Sequence, residues 1–222
     1  MKRRLIVIST GLVIGAAAVS LGWLVLPENL LGGFVIFAGL IYCIGGGLFL
    51  ALGRAPQQVL MTPSSDRTIL YLAPGALLVL LGAPLEYHFL PQTLLHSPLM
   101  QWLGTLILVL GFSIRLWTRR TLKEDYQGNL QVHPDQSLIT GGPYHWVRHP
   151  GYLGFIVMAA GLTVGFSSLA GLFGVILLAV GFRARIQVEQ QMLRHAFGQA
   201  YIAYARRTGC LLPILFHGRD NR

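Results

Sequence analysis

Long runs of apolar residues constrain the fold of this chain more than any other feature of its sequence. Residues 5–26 and 30–52 contain no charged side chain, and residues 99–117 contain one, Arg115. Such runs match the roughly 20 apolar helical residues that cross a hydrocarbon core of about 30 Å. Charged residues make up 11% of the 222-residue chain, against about 25% in soluble domains. The sequence therefore predicts an all-α fold, a polytopic bundle of transmembrane helices.

The apolar runs divide into about six predicted spans. They are the runs 5–26, 30–52, 69–90 and 99–117, and the two arms of a hairpin within 151–182. A single helix over residues 151–182 would reach ~48 Å, which is too long for one crossing. Residues 165–168, Gly-Phe-Ser-Ser, offer a break between the two arms. From Arg183 a polar, cytosolic helix is expected to continue to about Arg207.

The distribution of positive charge gives the expected orientation. The net charge is +9, and the loops around Glu28, His96 and Ser167 contain no Lys or Arg. With six spans every basic residue falls on one face, so the positive-inside rule predicts two cytoplasmic termini. A five-span arrangement would separate Arg148 from Arg183 across the membrane. The expected location is a bacterial inner membrane, or the endoplasmic reticulum in a eukaryotic host. Because the charge flanks apolar runs, membrane lipids rather than nucleic acid are the expected partners.

Several common kinds of site are missing from the sequence. Cys43 and Cys210 form no Cys-x-x-Cys pair, and both are interpreted as structural. The histidines lack the carboxylate or cysteine partners of a zinc site, so no catalytic metal is predicted. Neither a dinucleotide-binding glycine motif nor a Walker loop is present.

One acidic residue, Glu86, lies within an apolar run near its far end. An acid inside a span is a functional candidate by default. Snorkelling to the nearby interface explains its position equally well.

Two polar clusters could carry chemistry. The first, residues 141–152, combines glycines and prolines, which shape a loop, with aromatic rings, two histidines and Arg148. That combination suits a flat, charged, hydrogen-bonding ligand such as a nucleoside, although an interfacial aromatic belt would look similar. In the second cluster, Arg185 and Glu189 share one helix face. They form either a solvated ion pair or a charge pair within reach of the first cluster.

At these residues the sequence resembles a known family. The motifs are Gly142-Pro143-Tyr144-x-x-Val147-Arg148-His149-Pro150-x-Tyr152-x-Gly154, then Arg185-Ile186-x-x-Glu189, then Phe197-Gly198-x-x-Tyr201-x-x-Tyr204. Their order and spacing are similar to the superfamily of isoprenylcysteine carboxyl methyltransferases and phospholipid methyltransferases. The resemblance covers about residues 138–213, and the first four spans match only in being hydrophobic.

The resemblance implies a membrane-embedded methyltransferase that uses S-adenosylmethionine at the cytosolic face. The residues it implies for cofactor binding are Gly142, Pro143, Tyr144, His149, Pro150, Tyr152 and Glu189. The residues it implies for catalysis are Arg148, Arg185 and Glu189, with Arg185 orienting an anionic acceptor. Two positions depart from the family pattern: Gln190 replaces a second acid beside Glu189, and Gln136 stands where a His is common.

The predicted function is methyl transfer from S-adenosylmethionine to a lipophilic small-molecule or lipidated acceptor. An isoprenylcysteine carboxylate and a phospholipid amine both remain open as acceptors. The alternatives are an NADPH-dependent membrane reductase related to sterol reductases and a non-catalytic membrane binding protein. Residues 1–117 are expected to form a four-span N-terminal region and residues 118–222 the methyltransferase-like region. The sequence leaves the oligomeric state open.

Overall fold

The computed structural model describes residues 69–89, 97–122 and 137–213. The predicted spans 5–26 and 30–52 and both chain termini lie outside the described residues. The described residues are all-helical, as predicted, apart from loops and one isolated β-bridge. The helices are α1 (Ile69–Leu77), α2 (Ala83–Phe89), α3 (Pro98–Leu122), α4 (Pro150–Phe166) and α5 (Leu169–Arg207), with a π-helix at Leu78–Gly82 and a 3-10 turn at Gly142–His145.

The predicted third span is one continuous helical segment made of α1, the π-helix and α2. Pro74 lies inside α1, and Pro84 is the second residue of α2. A proline removes one backbone donor and clashes with the preceding turn. A wider π turn directly before Pro84 is consistent with relief of that clash.

The predicted hairpin is confirmed, and its break lies within residues 165–168. Ser167 has a left-handed backbone (φ 49°) and ends α4. Ser168 is the N-cap of α5, and its hydroxyl accepts a hydrogen bond from the Gly171 amide. The polar helix expected from Arg183 is the continuation of α5, which runs without interruption to a kink at Gly198 (φ 52°, ψ −126°).

Glu86 caps the start of α5. Its carboxylate accepts hydrogen bonds from the Ser168 hydroxyl and from the amides of Leu169 (3.2 Å) and Ala170 (2.8 Å). A carboxylate at a helix N-terminus satisfies free amides and interacts favourably with the helix dipole. The described contacts thus give Glu86 a structural role that neither interpretation of the sequence named.

Glycines bring α3 and α4 into close contact. A Cβ added at Gly104 would lie 2.4 Å from the Gly165 amide nitrogen, and one at Gly161 would lie 2.5 Å from the Leu108 nitrogen. One at Gly111 would lie 2.6 Å from the backbone of Met158. We call this contact the glycine seam. Small residues let helix backbones approach closely, as is common within membranes.

The outer faces of the long helices are apolar. Trp102, Leu106 and Leu110 of α3 are each more than half exposed, as are Leu169 and Phe173 of α5. Helices α3 and α5 are long and apolar enough to cross a membrane, and α4 is a shorter apolar helix. The hairpin leaves the first turn of α4 and the polar half of α5 at the same end, where the loop preceding α4 also lies.

Candidate functional site

The loop of residues 141–149 is fixed against the tail that follows α5. The Arg148 amide donates to the Gly209 carbonyl at 2.8 Å, and the His149 amide donates to the Cys210 carbonyl at 3.2 Å. Val147 and Gly209 form a parallel β-bridge. Gly142 has φ 60°, and a Cβ there would lie 2.6 Å from Thr121 Oγ1. These contacts give the loop one defined shape.

Two prolines complete the shape of this loop. Pro143 is buried in the 3-10 turn. Pro150 is fully buried as the first residue of α4, a position where its missing amide hydrogen costs nothing. For Gly142, Pro143 and Pro150 the structure shows backbone shape, and their predicted contact with a cofactor stays a prediction.

Arg148 fastens the loop to the end of α5. Its guanidinium donates through Nη1 to the carbonyls of Ala205 and Thr208, the latter at 3.0 Å. The last carbonyls of a helix lack partners within the helix, so this cation satisfies two of them. The catalytic role expected for Arg148 remains a prediction beside this observed structural one.

The final motif of the sequence packs beneath the same loop. The Tyr204 hydroxyl donates to the Tyr144 carbonyl at 2.7 Å. Tyr201 is 1% exposed, and its ring lies edge to face against Tyr204. The kink at Gly198 precedes both residues. Tyr144, predicted to line a cofactor site, is thus held by its backbone, while its side chain is half-buried.

His149 is buried and uncharged. Its side chain is 2% exposed, and Nδ1 lies 3.6 Å from Glu189 Oε2. Burial and the adjacent Arg148 charge lower the pKa of His149 to about 3. The nearby Glu189 carboxylate would favour the imidazolium, but at 3.6 Å it offsets only part of the effect of burial on the pKa of His149. The contact between His149 and Glu189 is therefore not an ion pair at neutral pH.

Tyr152 joins the first cluster to the second. Its ring stacks on His149 (centroids 5.8 Å apart) and on Phe182 (5.0 Å). Its hydroxyl accepts from Arg185 Nε at 3.1 Å and is hydrogen-bonded to Glu189. The structure therefore brings Arg185 and Glu189 within reach of the loop, as the functional interpretation required.

One oxygen of Glu189 is buried without a hydrogen bond. Within the described part of the chain, Oε2 has no hydrogen-bond partner, His149 Nδ1 being 3.6 Å away, although the side chain as a whole is 30% exposed. Buried polar atoms are nearly always paired, so each exception calls for an explanation. An acceptor sealed beside an aromatic stack fits a ligand that brings its own hydroxyl or ammonium donor.

Comparisons with known proteins show what this chain is similar to. The model of the isoprenylcysteine carboxyl methyltransferase (ICMT) family matches residues 102–195. Protein-S-isoprenylcysteine O-methyltransferases from Saccharomyces cerevisiae and Tribolium castaneum are 30% identical over 124 residues and 25% identical over 201 residues. This chain is similar to the ICMT family over residues 102–195.

The extent of the similarity differs among these relatives. The yeast match covers 54% of this chain and 52% of the relative, and the Tribolium match covers 86% and 69%. A rice protein named a probable protein-S-isoprenylcysteine O-methyltransferase is 30% identical over 119 residues, covering 52% of this chain and 62% of the relative. The chain thus spans about half to two thirds of the length of these three relatives.

A solved structure shows the same fold. The eukaryotic intramembrane Ras methyltransferase ICMT superposes with a TM-score of 0.63 at 21% identity, covering 91% of this chain and 74% of that one. The likeness concerns the fold, and two of the described helices, α3 and α5, are long and apolar enough to cross a membrane.

Sequence reasoning missed two contributors to the cluster. Gln190, noted only as a departure from the ICMT pattern, places Nε2 3.4 Å from His149 Nε2 and 3.4 Å from Cys210 Sγ. Cys210 is held in the tail beside the loop, in keeping with its structural interpretation. The other departure, Gln136, lies outside the described residues. In the sequence, its position next to Glu189 was the signal that could have identified Gln190 as part of the site.

Sequence reasoning also missed an open cavity of about 370 Å³ on the Arg148 side of the loop. It is lined by Arg148, Arg194, Ile202, Ala205 and Arg206. Three guanidinium groups around one cavity favour an anionic group. The three arginines form no recognisable sequence motif. Arg194 precedes the kink at Gly198 and Arg206 follows it, so both halves of α5 line the cavity.

Proposed function

We propose that this chain is an S-adenosylmethionine-dependent methyltransferase that esterifies the carboxylate of an isoprenylated cysteine. The observation that carries the proposal is the cluster of His149, Tyr152, Arg185 and Glu189 at the polar end of apolar helices. Glu189 Oε2 is sealed there without a hydrogen bond among the described residues. The similarity of residues 102–195 to the ICMT family supports this activity among those the geometry allows.

The residues present fit such a methyl donor. Glu189 Oε2 would accept a hydrogen bond from a hydroxyl or an ammonium group of the donor. The Arg148 side of the loop, with its cavity of about 370 Å³, would take the donor's carboxylate. When bound, S-adenosylmethionine supplies a methyl group on a sulfonium centre, and the chain itself has only to hold and enclose the two substrates.

A carboxylate acceptor matches the described side chains better than an amine. An ionised carboxylate needs no general base, whereas an ammonium group must first lose a proton. His149 is a poor base because burial and Arg148 lower its pKa to about 3. Arg185, half-buried and hydrogen-bonded to Tyr152 at 3.1 Å, would orient the acceptor carboxylate.

The surrounding helices would supply the apolar part of acceptor binding. Phe155 is 37% exposed and stacks on Phe182 with ring centroids 5.7 Å apart. Phe182 in turn stacks on Tyr152. A prenyl chain lying along these rings would arrive sideways from the bilayer, while the polar donor would enter from the aqueous side.

The membrane arrangement belongs to the same proposal. We infer six spans with both termini cytoplasmic, so that the cluster faces the cytosol of a bacterial inner membrane or of the endoplasmic reticulum. Residues 1–117 would form the four-span region and residues 118–222 the methyl-transferring region. The distribution of Lys and Arg along the sequence supports this orientation.

Transfer of a radiolabelled methyl group tests the proposed activity. Detergent-purified protein would be incubated with labelled S-adenosylmethionine and either N-acetyl-S-farnesylcysteine or phosphatidylethanolamine. We expect label in the base-labile ester of the farnesylcysteine, lost in Glu189→Gln and kept in Gln187→Ala, an exposed residue of the same helix. Label found in the phospholipid alone would show that the acceptor is a phospholipid amine and not the isoprenylcysteine carboxylate. Consumption of NADPH without methyl transfer would favour the reductase alternative.

A further inference from the structure

The side-chain amide of Gln190 connects three elements of the cluster. It extends from α5, and its Nε2 lies 3.4 Å from His149 Nε2 at the start of α4 and 3.4 Å from Cys210 Sγ in the tail. An amide nitrogen carries two hydrogens and accepts none. Both hydrogens therefore have an acceptor, one on the imidazole and one on the thiol sulfur.

This contact defines the tautomer of His149. With the amide oriented as in the structure, its nitrogen donates to His149 Nε2, and this assigns the ring hydrogen to Nδ1. Nδ1 faces Glu189 Oε2 at 3.6 Å. A flipped Gln190 amide would require hydrogen on Nε2 and would place the Nδ1 lone pair opposite a carboxylate oxygen. The described geometry is the one in which donors face acceptors on both sides of the ring.

The charge balance around the ring depends on the same residue. The groups that face His149 are Arg148 beside it, Tyr152 from α4, and Glu189 and Gln190 from α5, while Cys210 Sγ in the tail accepts from Gln190. Arg185 is connected to His149 through Tyr152, whose hydroxyl accepts a hydrogen bond from Arg185 Nε. Glu189 is the acid in this group, and the amide at position 190 adds no charge. A carboxylate in place of the amide would lie next to Nε2 and would favour the imidazolium.

We propose that Gln190 is a positioning residue, which holds His149 as the neutral Nδ1–H tautomer with its N–H directed at Glu189. The ring N–H then fixes the orientation of the Glu189 side chain, whose oxygens would face the donor. A neutral amide at position 190 thus orients Glu189 through the His149 ring. The tautomer assignment stands on geometry alone, and its consequence for ligand binding rests on the proposed function.

Nitrogen-15 NMR of histidine-labelled protein in detergent tests the assignment directly. The His149 signals would be identified by their loss in His149→Gln, and exposed His145 would serve as an internal reference. We expect His149 to show the Nδ1–H pattern without change from pH 8 to pH 5.5. In Gln190→Glu the same ring should titrate within that range, and in Gln190→Met, of similar length, the Nδ1–H preference should weaken. An Nε2–H pattern in the unsubstituted protein, or its titration near pH 6.5, would overturn the assignment.

Binding of S-adenosylhomocysteine at pH 8 and pH 5.5 supplies the functional arm. We expect the dissociation constant of the unsubstituted protein to change less than about twofold, and that of Gln190→Glu to change about tenfold as His149 becomes charged, since a tenfold change corresponds to one pKa unit of coupling. Equal pH dependence in the two proteins would overturn the positioning role. If the unsubstituted protein shows the Nδ1–H ring but binds no S-adenosylhomocysteine, the proposed function fails while the tautomer assignment stands. Thermal unfolding of each variant distinguishes a local effect from loss of the fold.

Discussion

Two regions of this molecule share helix α4 but are held together by different means. In the glycine seam, backbones of α3 and α4 meet with no room for even a methyl group at Gly104, Gly111 or Gly161. In the polar cluster, the loop, the polar half of α5 and the tail are joined by particular hydrogen bonds, such as those of Arg148 and Gln190.

The difference predicts how each region responds to change. Close backbone packing depends on volume and is indifferent to charge and pH. A network of buried polar groups tolerates changes of volume better, but it depends on every donor finding its acceptor. The seam should therefore be sensitive to added methyl groups, and the cluster to lost hydrogen bonds or added protons.

The largest expected effect is in the seam. Gly161→Ala would place a Cβ 2.5 Å from the Leu108 backbone and should lower the free energy of unfolding by about 3 kcal/mol, as overpacking does. Gly165→Ala is the matched control, because its Cβ would meet nothing closer than 3.8 Å. Equilibrium unfolding in mixed micelles measures both, and equal effects would contradict the account of the seam.

The next effect concerns the fastening of the loop. Arg148→Ala removes two charge-assisted hydrogen bonds to the carbonyls of Ala205 and Thr208 and should cost about 2 kcal/mol. It should also increase hydrogen exchange at the amides of His149 and Gly209. Arg207→Ala, at an exposed position, controls for loss of charge. Unchanged exchange in the loop would show that the guanidinium does not hold it.

Acid should weaken the cluster through His149. Because the pKa of the buried ring is lowered to about 3, the unfolded chain binds more protons below pH 6.5, and stability falls as the pH falls toward 3. Between pH 7.5 and pH 5 this contribution is up to about 2 kcal/mol. It should disappear in His149→Gln and persist in His145→Gln, a difference that melting temperatures at several pH values would reveal. Identical pH dependence in both variants would show that the His149 ring is solvated and that burial does not lower its pKa.

The smallest expected effect tests the kink in α5. Gly198→Ala imposes a side chain on a backbone with φ 52° and should cost about 1 kcal/mol, although the added Cβ would meet no atom within 4 Å. Gly141→Ala, equally open but with φ −90°, should be neutral. Equal melting temperatures for the two variants would argue against a strained kink.

The features predicted from the sequence are those that depend on hydrophobic length and local chain breaks. The all-α class, the helix over residues 99–117 and the hairpin break near Ser167 follow from apolar run length and from small residues at the turn. The approach of Arg185 and Glu189 to the loop could be stated only as one of two interpretations, because helix spacing does not show which way a face turns.

The remaining features depend on contacts distant in the sequence. Nothing near Glu86 indicates that it caps a helix beginning at Leu169, and nothing near Arg148 points to the carbonyls of Ala205 and Thr208. The glycine seam had a readable signal, since Gly104 and Gly111, like Gly154 and Gly161, are seven residues apart. That spacing repeats on one helix face but does not name the facing helix.

Binding of S-adenosylhomocysteine, measured by calorimetry on detergent-purified protein at pH 7.5, tests the central claim most directly. The account predicts saturable binding that weakens at least about tenfold in Glu189→Gln, because an amide NH2 group, which cannot accept from the ligand's donors, replaces one carboxyl oxygen. Gln187→Ala, at an exposed position one turn or less away, should bind as the unsubstituted protein does. Equal affinity in Glu189→Gln and Gln187→Ala, or no binding by folded unsubstituted protein, would contradict the assignment of the cluster as a methyl-donor site.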